Sequence, residues 1–339
     1  MDITNRKLVL NARPDGLIKD TDFRVLDDLV RPLEKGEILI KTMYLSLAPV
    51  MKFYMIDGAG IEAPLAIGDT MRGRGVGEVI ESQNDSFAVG DIVQGKFGWQ
   101  EYVISSGTAY DMMYQVNTHG LSPSTALGVL GVTGCTSYLG LYDVGELKEN
   151  DVVLVSSAAG GVGSLIGQLA KIKGATAIGM SSTDEKCTLL TDKLGYQAAI
   201  NYRTEDVSQR ISELCPDGID VFFDNVGGEI LDIALLHLTR YARVVECGRI
   251  STYKKNLREQ DYQLKNWHMI GATRSKMIGF FIYDYEAKFA AAIQDMSQWI
   301  KEGKLVYQED ILEGIERMPE ALNRLFEGKN VGKQLVKIS

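Results

Sequence analysis

Hydrophobic positions along the chain follow two different rhythms. Up to about residue 122, short apolar or alternating runs are separated by Gly, Pro, Asn and Asp, as in KLVLNA, EILIKTMYLSL and WQEYVIS. Alternation with a period of two, interrupted by turn residues, is typical of β-strands. The first part of the chain is therefore predicted to form a small β-barrel or sandwich.

From residue 151 onward, strand-like and helix-like segments alternate. The apolar run DVVLVSS precedes a helical stretch that starts near Val162, and ATAIGM, IDVFFD and RYARVVECG follow as strands between further helices. This alternation indicates right-handed βαβ units on a parallel sheet. The run KMIGFFI is predicted as another strand, and DYEAKFAAAIQDMSQWIKEG as a long helix that ends at Gly303.

Two further segments complete the predicted organisation. The stretch SPSTALGVLGVTGCTSYLGLYDVG has helical spacing, and the last 34 residues return to a strand, a helix and a strand that we expect to rejoin the first domain. The predicted domains are residues 1–122 with 304–339, which are β-rich, and residues 123–303. The fold class is α/β, and the second domain is a doubly wound parallel sheet.

Composition and charge narrow the classes of partner. The 339 residues carry a net charge of −9 and contain no Lys/Arg-rich run, which argues against a nucleic acid or an anionic membrane as partner. No apolar stretch approaches the ~20 residues of a membrane span. The opening MDITNRKLVLNARPDG lacks the apolar core of a signal peptide, so a cytoplasmic location is expected.

Metal chemistry is not expected from the cysteines and histidines. The four cysteines are widely scattered without a CxxC pair, and none of the three histidines has another potential ligand at metal-binding spacing. The sequence therefore predicts no metal site.

A small-residue turn follows the strand DVVLVSS. The residues Ala158-Ala159-Gly160-Gly161-Val162-Gly163 read as A-x-G-x-x-G between a strand and a helix, the arrangement that brings main-chain N–H groups against a pyrophosphate. A different interpretation stays open, in which Gly163 and Gly167 only allow close packing of helix on sheet. The context of several βαβ units favours a dinucleotide site.

The second strand of this domain discriminates between cofactors. An NAD site expects an acidic residue at the end of that strand, about 20 residues beyond the turn, to hold the ribose hydroxyls. Here ATAIGM ends in Ser181 and Ser182, and Lys186 follows in the first turn of the next helix. A lysine without an opposing acid suits a 2′-phosphate. The sequence thus favours NADPH over NADH.

Six ordered motifs carry a resemblance to a known family: YLSLAP, LGVLGVTGCTSYLGL, AAGGVGSLIGQLAKIKG, DVFFDNVGG, CGRISTY and GKNVGKQLV. Together they resemble the zinc-free medium-chain dehydrogenase/reductases of the prostaglandin and leukotriene reductase branch, particularly the bacterial and fungal enone reductases such as curcumin reductase. The resemblance runs essentially end to end. It implies a GroES-like N-terminal domain, a Rossmann-type domain that binds NADPH, and a homodimer.

The resemblance also implies roles for single residues. The turn would face the pyrophosphate, Lys186 and Tyr202 would hold the 2′-phosphate and adenosine, and Asn330 would reach the phosphates from the C-terminal segment. The nicotinamide side would be lined by Thr136, Asn225, Gly248, Ile250, Ser251, Phe280 and Phe281. Zinc-containing relatives place a Cys near LSLAP and a Gly-His-Glu near MRGRGVGEV, where this chain has Ala48 and Arg72-Gly73-Arg74.

The implied reaction is hydride transfer from NADPH to the β-carbon of an α,β-unsaturated ketone or aldehyde, which is the small-molecule partner. The carbonyl oxygen then needs a hydrogen-bond donor and the α-carbon a proton. The branch usually has Asp-Pro-Tyr after YLSL, whereas this chain reads Ala48-Pro49-Val50. Tyr253 in STY is the first candidate for the donor and Tyr54 the second.

Two alternatives to the enone reductase are left open. One is a zinc-free quinone reductase of the zeta-crystallin type with the same cofactor. The other is an NADPH-binding sensor or scaffold without turnover, which the loss of Asp-Pro-Tyr favours and the complete turn disfavours. The segment that follows STY, KKNLREQDYQLKNWHMIGATRSK, is expected to cover the substrate pocket.

Overall fold

The computed structural model describes residues 3–56, 62–108, 112–253 and 262–339. The chain divides into two compact units. Unit 1 consists of Met1–Gly128, Asp310–Lys329 and Gln334–Ser339, and unit 2 of Val129–Glu309 and Asn330–Lys333.

The strands of unit 1 come from both ends of the chain. In chain order the first seven are β1 (Thr4–Leu10), β2 (Phe23–Leu29), β3 (Ile38–Ser46), β4 (Arg74–Ser82), β5 (Ile92–Lys96), β6 (Tyr102–Ser105) and β7 (Tyr114–Gln115). The C-terminal part adds β14 (Glu309–Glu313), the helix α8 (Met318–Glu327) and β15 (Lys333–Lys337). A 3-10 helix spans Pro49–Met55.

Two antiparallel sheets organise these strands. β1 pairs with β2, while the larger sheet has the order β14-β15-β3-β4-β5-β7, with β6 also paired to β3. Trp99 and Phe97 are among the largest fully buried side chains. The Phe97 ring lies so close to Gly75 of β4 that a Cβ there would be 2.4 Å away, which explains the glycine in this strand. The predicted β-rich N-terminal domain is thereby confirmed.

Unit 2 alternates strands and helices as the sequence predicts. Its strands are β8 (Val152–Val155), β9 (Thr176–Ser181), β10 (Ala198–Asn201), β11 (Ile219–Asp224), β12 (Leu238–Glu246) and β13 (Lys276–Gly279). Its helices are α1 (Val132–Leu139), α2 (Gly163–Ile172), α3 (Asp184–Lys193), α4 (Val207–Leu214), α5 (Gly228–Leu235), α6 (Met269–Thr273) and α7 (Phe289–Lys301).

The six strands that the structure describes in unit 2 are parallel and have the order β10-β9-β8-β11-β12-β13. The two central strands, β8 and β11, have apolar centres: Val153, Leu154, Phe222 and Phe223 are fully buried. A continuous apolar run is what a strand covered by helices on both faces requires. The strand order reverses its direction between β8 and β11, so the carboxyl ends of these strands form the topological switch point of the sheet.

The boundary between the units falls later than the change of sequence pattern. The structure divides the chain after Gly128, because the 3-10 helix Pro123–Leu127 packs on unit 1, where Ala126 and Leu127 share a core cluster with Val76 and Leu335. The helical spacing of this region becomes a 3-10 helix, then α1, then one π-helical turn, Gly140–Val144. The predicted long helix near the end of unit 2 also begins with a 3-10 segment, Ile282–Lys288, before α7.

No helix in the described part of the chain is long and apolar enough to cross a bilayer.

Candidate cofactor site

The predicted cofactor residues of unit 2 follow the carboxyl ends of its parallel strands. The small-residue turn comes after β8, Lys186 after β9, Tyr202 after β10, Asn225 after β11, Gly248 after β12 and Phe280 after β13. In an open parallel sheet, the carboxyl ends of the strands meet at one edge, where ligands bind. The topology therefore brings residues that are up to 122 positions apart in sequence to the same edge.

The turn after β8 leads directly into α2. Ala158 N–H donates to the Met180 carbonyl of β9 at 2.9 Å, Gly160 N–H donates to the Ser157 carbonyl at 3.0 Å, and α2 begins at Gly163. Ser157 has a φ of 51°, the left-handed region that a serine rarely adopts. Such local strain is typical of functional turns.

Two glycines of this region are required by packing. A Cβ on Gly163 would lie 2.4 Å from the Ser157 carbonyl oxygen, and one on Gly167 would lie 2.4 Å from the Tyr196 ring. The Tyr196 hydroxyl donates to the Gly163 carbonyl at 2.6 Å. The packing interpretation of these glycines thus has direct structural support.

Gly160 and Gly161 are less crowded than Gly163. The nearest heavy atom to a Cβ on Gly160 would be 3.2 Å away, and on Gly161 it would be the Thr133 methyl group at 3.3 Å. Packing alone does not require glycine at these two positions as it does at Gly163. Val162, the residue before α2, already has helical backbone angles.

Lys186 lies in the first turn of α3. The side chain of Thr183 caps this helix by accepting a hydrogen bond from the Lys186 N–H at 3.3 Å. The Lys186 ammonium donates to the main-chain carbonyl of Asn330 at 2.7 Å. Of the two acids in this turn, Asp184 accepts a hydrogen bond from the Asn201 side chain at 2.6 Å.

Tyr202 is joined to the end of the neighbouring strand. Its N–H donates to the Ser181 carbonyl at 3.1 Å, and its side chain is 37% exposed. Ser181 pairs with Asn201 in the β9–β10 register. Tyr202 and the helix that carries Lys186 therefore start from adjacent strand ends.

A buried polar network fixes the strand ends of β8 and β11. Ser156 Oγ donates to Asp224 Oδ1 at 2.7 Å and accepts from the Asn225 N–H at 2.7 Å. The Asn225 side-chain amide donates to the Ser156 carbonyl at 2.8 Å. Burial raises the pKa of the Asp224 carboxyl, while the N–H groups of Val226 and Gly227 counteract that effect.

The same network extends to the residues after β12. Gly248 N–H donates to the Asp224 carbonyl at 3.1 Å, and Ile250 N–H donates to the Asn225 carbonyl at 3.3 Å. Ser251 Oγ donates to the Val226 carbonyl at 2.6 Å. A Cβ on Gly248 would meet only one atom, 3.6 Å away, so there is space beside this glycine.

Tyr253 follows the short 3-10 helix Ile250–Thr252 and is partly buried. Burial raises the pKa of its phenol above the ordinary value of 10.0, and the main-chain N–H and the charge of Arg249 act in the opposite direction. The phenol therefore stays protonated at neutral pH and can donate a hydrogen bond. Lys254 and the rest of 254–261, which begin the predicted pocket cover, lie outside the described residues.

The remaining nicotinamide-side candidates lie on α1 and after β13. Thr136 Oγ1 donates to the Val132 carbonyl of its own helix at 2.7 Å. The Phe280 ring packs against the end of α1, where a Cβ added to Gly140 would lie 2.9 Å from the Phe280 Cζ. Phe281 is 47% exposed.

Asn330 belongs to the C-terminal segment of unit 2 and is 8% exposed. Its side-chain amide donates to the Gly332 carbonyl at 2.9 Å, and its own carbonyl accepts the Lys186 ammonium at 2.7 Å.

Tyr54, the second candidate donor, lies in unit 1 on the 3-10 helix Pro49–Met55. The Arg72 guanidinium carbon is 5.6 Å from the centre of its ring, a cation–π arrangement. Arg72 also donates to the Ala63 carbonyl at 2.6 Å. The residues that stand in place of a zinc ligand motif are thus engaged in structural contacts.

Three observations test whether these residues fit NADPH. The edge of the sheet presents a strand–turn–helix unit with glycines, the end of β9 carries serines rather than an acid, and a lysine stands in the first turn of α3. Serine, lysine and tyrosine side chains are hydrogen-bond donors, which a dianionic 2′-phosphate requires. The donor set therefore fits a phosphorylated dinucleotide. Among the described residues, no group of three or more His, Cys, Asp and Glu could hold a metal ion.

Sequence reasoning missed Ser156 and Asp224, which join the two central strands. The available signal was a polar residue at the end of each apolar run, in DVVLVSS and IDVFFD. Pairing Ser156 with Asp224 requires knowing that β8 and β11 are neighbours in the sheet, and no local sequence pattern indicates that.

Comparisons with known proteins agree with this architecture. Residues 6–113 match the family model described as the N-terminal domain of oxidoreductase, and residues 161–299 match the model described as zinc-binding dehydrogenase. A putative NADP-dependent oxidoreductase of Bacillus subtilis is 40% identical, with 100% of this chain and 99% of that protein covered. The NADPH-dependent curcumin reductase of Escherichia coli is 37% identical, with 99% and 97% covered.

A solved structure extends the likeness to three dimensions. The crystal structure of CurA from Vibrio vulnificus in complex with NADPH superimposes with a TM-score of 0.92 at 36% identity, covering 98% of this chain and 99% of that one. Because identity at this level spans the full length of the chain, the protein belongs to the zinc-free branch of the medium-chain dehydrogenase/reductase family.

Proposed function

We propose that this protein reduces the carbon–carbon double bond of α,β-unsaturated ketones and aldehydes with NADPH. The observation that carries the proposal is that the small-residue turn, Lys186 and Tyr253 follow the carboxyl ends of three parallel strands of the unit 2 sheet, β8, β9 and β12. Membership of the reductase family and full-length likeness to a curcumin reductase support the substrate class.

The chain's part in cofactor binding is electrostatic. The N-terminus of α2 and the turn of residues 158–163 would face the pyrophosphate, and Lys186 with Tyr202 would hold the 2′-phosphate and adenosine. Asn225, Gly248, Ile250 and Ser251 would line the nicotinamide, with Thr136, Phe280 and Phe281 around them. Bound NADPH supplies the hydride for the substrate's β-carbon.

The protein must stabilise negative charge on the substrate carbonyl oxygen. A phenol that is neutral at working pH is a suitable donor for this oxygen, and Tyr253 has a pKa raised by burial. In the proposed reaction, Tyr253 donates a hydrogen bond to the carbonyl oxygen, and the α-carbon of the resulting enolate then takes a proton from water. Tyr54 is the second candidate for this role, and its ring already interacts with Arg72.

The proposed assembly is a cytoplasmic homodimer. β13 is the last strand in the order of the unit 2 sheet, and Met277 on it is 38% exposed. An exposed edge strand is a template for pairing with a second chain. Met277→Glu should shift the mass measured by light scattering from dimer to monomer, whereas a wild-type protein that is already monomeric would contradict the homodimer.

The reaction is tested with an isotopically labelled cofactor. NADPH carrying deuterium at the transferred position should deliver it to the β-carbon of an aryl enone, as read by mass spectrometry and NMR. In heavy water, a second deuterium should appear at the α-carbon. A linear alkenal, a curcuminoid and a small quinone complete the panel, with NADH in parallel.

The outcomes separate the candidates. Deuterium at the β-carbon with NADPH, and slow turnover with NADH, supports the proposed reaction. Reduction of only the quinone would favour the quinone reductase. Tight NADPH binding without turnover of any substrate would favour a sensor, and absence of NADPH binding would contradict the cofactor site.

A further inference from the structure

Asp232 on α5 is a buried acid that the proposed reaction does not use. It is 3% exposed, and a buried carboxylate is costly unless hydrogen bonds compensate for the lost water. Its Oδ1 accepts the N–H groups of Lys265 at 2.9 Å and Asn266 at 2.8 Å. Its Oδ2 accepts the Tyr262 hydroxyl at 3.0 Å, and its main-chain carbonyl accepts the Asn266 side-chain amide at 3.0 Å. One aspartate therefore binds the stretch 262–266 through four hydrogen bonds.

The stretch 262–266 also begins the part of the chain that returns to the core of unit 2 after the STY motif. Leu264, Met269 and Ile270 pack against the core cluster that contains Leu231 of α5. Apolar contacts are not directional, so they hold the chain on the core without fixing its register. The hydrogen bonds to Asp232 are directional and supply that register.

The anchored stretch lies beside residues predicted to line the nicotinamide. A Cβ added to Gly228 would be 3.0 Å from Ser251 Oγ and 3.9 Å from Tyr262 Cβ, so these three residues are neighbours. Ser251 Oγ itself donates to the Val226 carbonyl at 2.6 Å. The Lys265 ammonium lies 5.8 Å from the centre of the Tyr262 ring, and Tyr262 is still 38% exposed. An aromatic surface next to Ser251 is therefore accessible to a ligand.

We infer that Asp232 is a positioning residue for substrate selectivity, which holds Tyr262 where the part of an extended aryl enone beyond its double bond would lie. The Tyr262 ring packs against an aryl group of such a substrate. A short alkenal fills only the space at the nicotinamide and does not reach Tyr262. Asp232 touches neither substrate nor cofactor and acts through Tyr262. The inference rests on the proposed function for the class of substrate.

A fluorescent curcuminoid tests this role without turnover. Wild type, Asp232→Asn, Tyr262→Phe and the double variant are titrated with the curcuminoid in the presence of NADP⁺, and separately with NADPH. Asparagine places an amide where the carboxylate meets the Tyr262 hydroxyl, and phenylalanine keeps the ring but loses that hydroxyl. We expect each single variant to weaken curcuminoid binding about tenfold and NADPH binding less than about twofold. The double variant should lose no more than either single one, because the two residues act as one unit.

Two further measurements would not respond in this way to a merely structural role. Asp232→Asn should raise KM for the curcuminoid about tenfold with kcat nearly unchanged, while both constants for a linear alkenal stay within about twofold. Hydrogen exchange should be faster at the amides of Lys265 and Asn266 in Asp232→Asn than in wild type, because both amides donate to this carboxylate.

Asp220→Asn is the matched control. Asp220 also binds one main-chain N–H and one hydroxyl, since its side chain accepts from Val152 N–H at 2.9 Å and from Thr239 Oγ1 at 2.8 Å. It lies near the amino end of β11, whereas the candidate site follows the carboxyl ends of the strands. Asp220→Asn should leave curcuminoid affinity and both KM values unchanged, even where it lowers stability.

The outcomes decide the inference. Equal losses for the curcuminoid, the alkenal and NADPH would mean that Asp232 is only structural, which overturns the positioning role. Unchanged curcuminoid affinity in the variants, or a wild type that binds no curcuminoid, overturns it as well. If Asp232→Asn does not fold, Tyr262→Phe decides by the same criteria. A protein that shows the expected binding pattern but reduces no enone would contradict only the proposed reaction.

Discussion

Lys186 occupies a position that is electrostatically unfavourable without a ligand. It stands in the first turn of α3, where the positive end of the helix dipole repels a cation. The Asn330 carbonyl and the neighbouring acids relieve part of this cost, and a bound phosphate would relieve more. A cation at this helix N-terminus therefore becomes favourable only when an anionic ligand binds. Lys193, in the last turn of the same helix, interacts favourably with the helix dipole without a ligand.

Replacement of Lys186 by methionine should raise the Kd for NADPH by about 10–100-fold, because a charge-assisted bond to phosphate is lost. The Kd for NADH should change less than about threefold. Fluorescence titration with both cofactors measures this, and Lys193→Met on the exposed end of α3 is the matched control. An equal loss for the two cofactors would contradict the assignment of Lys186.

Replacement of Tyr253 by phenylalanine should lower kcat for enone reduction by about 10²–10³-fold, the usual cost of removing a donor to a developing oxyanion. The Kd for NADPH should stay unchanged. Stopped-flow kinetics of NADPH oxidation measures the chemical step. Tyr54→Phe is the competing candidate, and Tyr142→Phe, whose hydroxyl donates to the Leu169 carbonyl at 2.8 Å, controls for loss of a buried hydroxyl.

The pH dependence of that step follows from the direction of the Tyr253 shift. Burial raises the pKa of the phenol above 10.0, so the donating, protonated form persists to higher pH than for an exposed tyrosine. Wild-type kcat should therefore show little loss from this group up to about pH 9. A decline near pH 8 that disappears in Tyr253→Phe would contradict this expectation.

Single-residue roles were the part that the sequence predicted least completely. The turn residues and Lys186 could be found because strand, small residues and helix follow one another locally. The Ser156–Asp224 bond and the Lys186–Asn330 bond join residues 68 and 144 positions apart, and no local pattern encodes them. The roles of the candidate residues toward NADPH remain predictions.

At the scale of elements, the junction of β8 and α2 depends on the absence of a side chain. Gly163→Ala would place a Cβ 2.4 Å from the Ser157 carbonyl oxygen and 2.6 Å from the Ala158 Cα, so main chain must move. The free energy of unfolding should fall by about 1–3 kcal/mol. Denaturant unfolding measures this, and NADPH binding should weaken as the turn shifts.

Gly271→Ala is the matched control for that substitution. Gly271 lies in α6 with no heavy atom within 4 Å of an added Cβ, so alanine there should be neutral or slightly stabilising. Equal changes in the free energy of unfolding for the two alanine variants would show that crowding at Gly163 does not determine the stability of the β8–α2 junction.

Elements with a strong period were predictable, and those defined by long-range contacts were not. The alternation of strand-like and helix-like segments in unit 2 correctly predicted a parallel sheet, because local hydrophobic patterns largely determine these elements. The segment Pro123–Leu127 has an apolar pattern that suits a helix, but it packs on unit 1 as a 3-10 helix. Tertiary packing decided both its form and the position of the unit boundary.

At the scale of the whole molecule, Lys333 makes stability depend on pH. Burial lowers its pKa to about 8. Between pH 8 and 10, the unfolded chain holds a proton that the folded chain has lost, so the free energy of unfolding rises with pH. Below pH 8, both states are protonated, and the folded state carries the full cost of desolvating this partly buried ammonium.

Lys333→Met should remove this dependence. Wild type should gain on the order of 1 kcal/mol in unfolding free energy from pH 7.5 to 10 relative to Lys333→Met, which should be the more stable protein at pH 7. Urea unfolding at a series of pH values measures the difference. Lys337→Met, on the exposed end of β15, should keep the wild-type slope, and the same slope in Lys333→Met would contradict the assignment.

The division of the chain has a consequence for biosynthesis. Unit 2 includes Asn330–Lys333, and a ribosome makes these residues after every other part of that unit. The nascent sheet can fold earlier, but it lacks the strand segment that bridges Gly160 and the carbonyl that holds Lys186. A stalled or prematurely terminated polypeptide would therefore carry the turn of residues 158–163 without its partner, and only a chain translated past Lys333 can form these contacts.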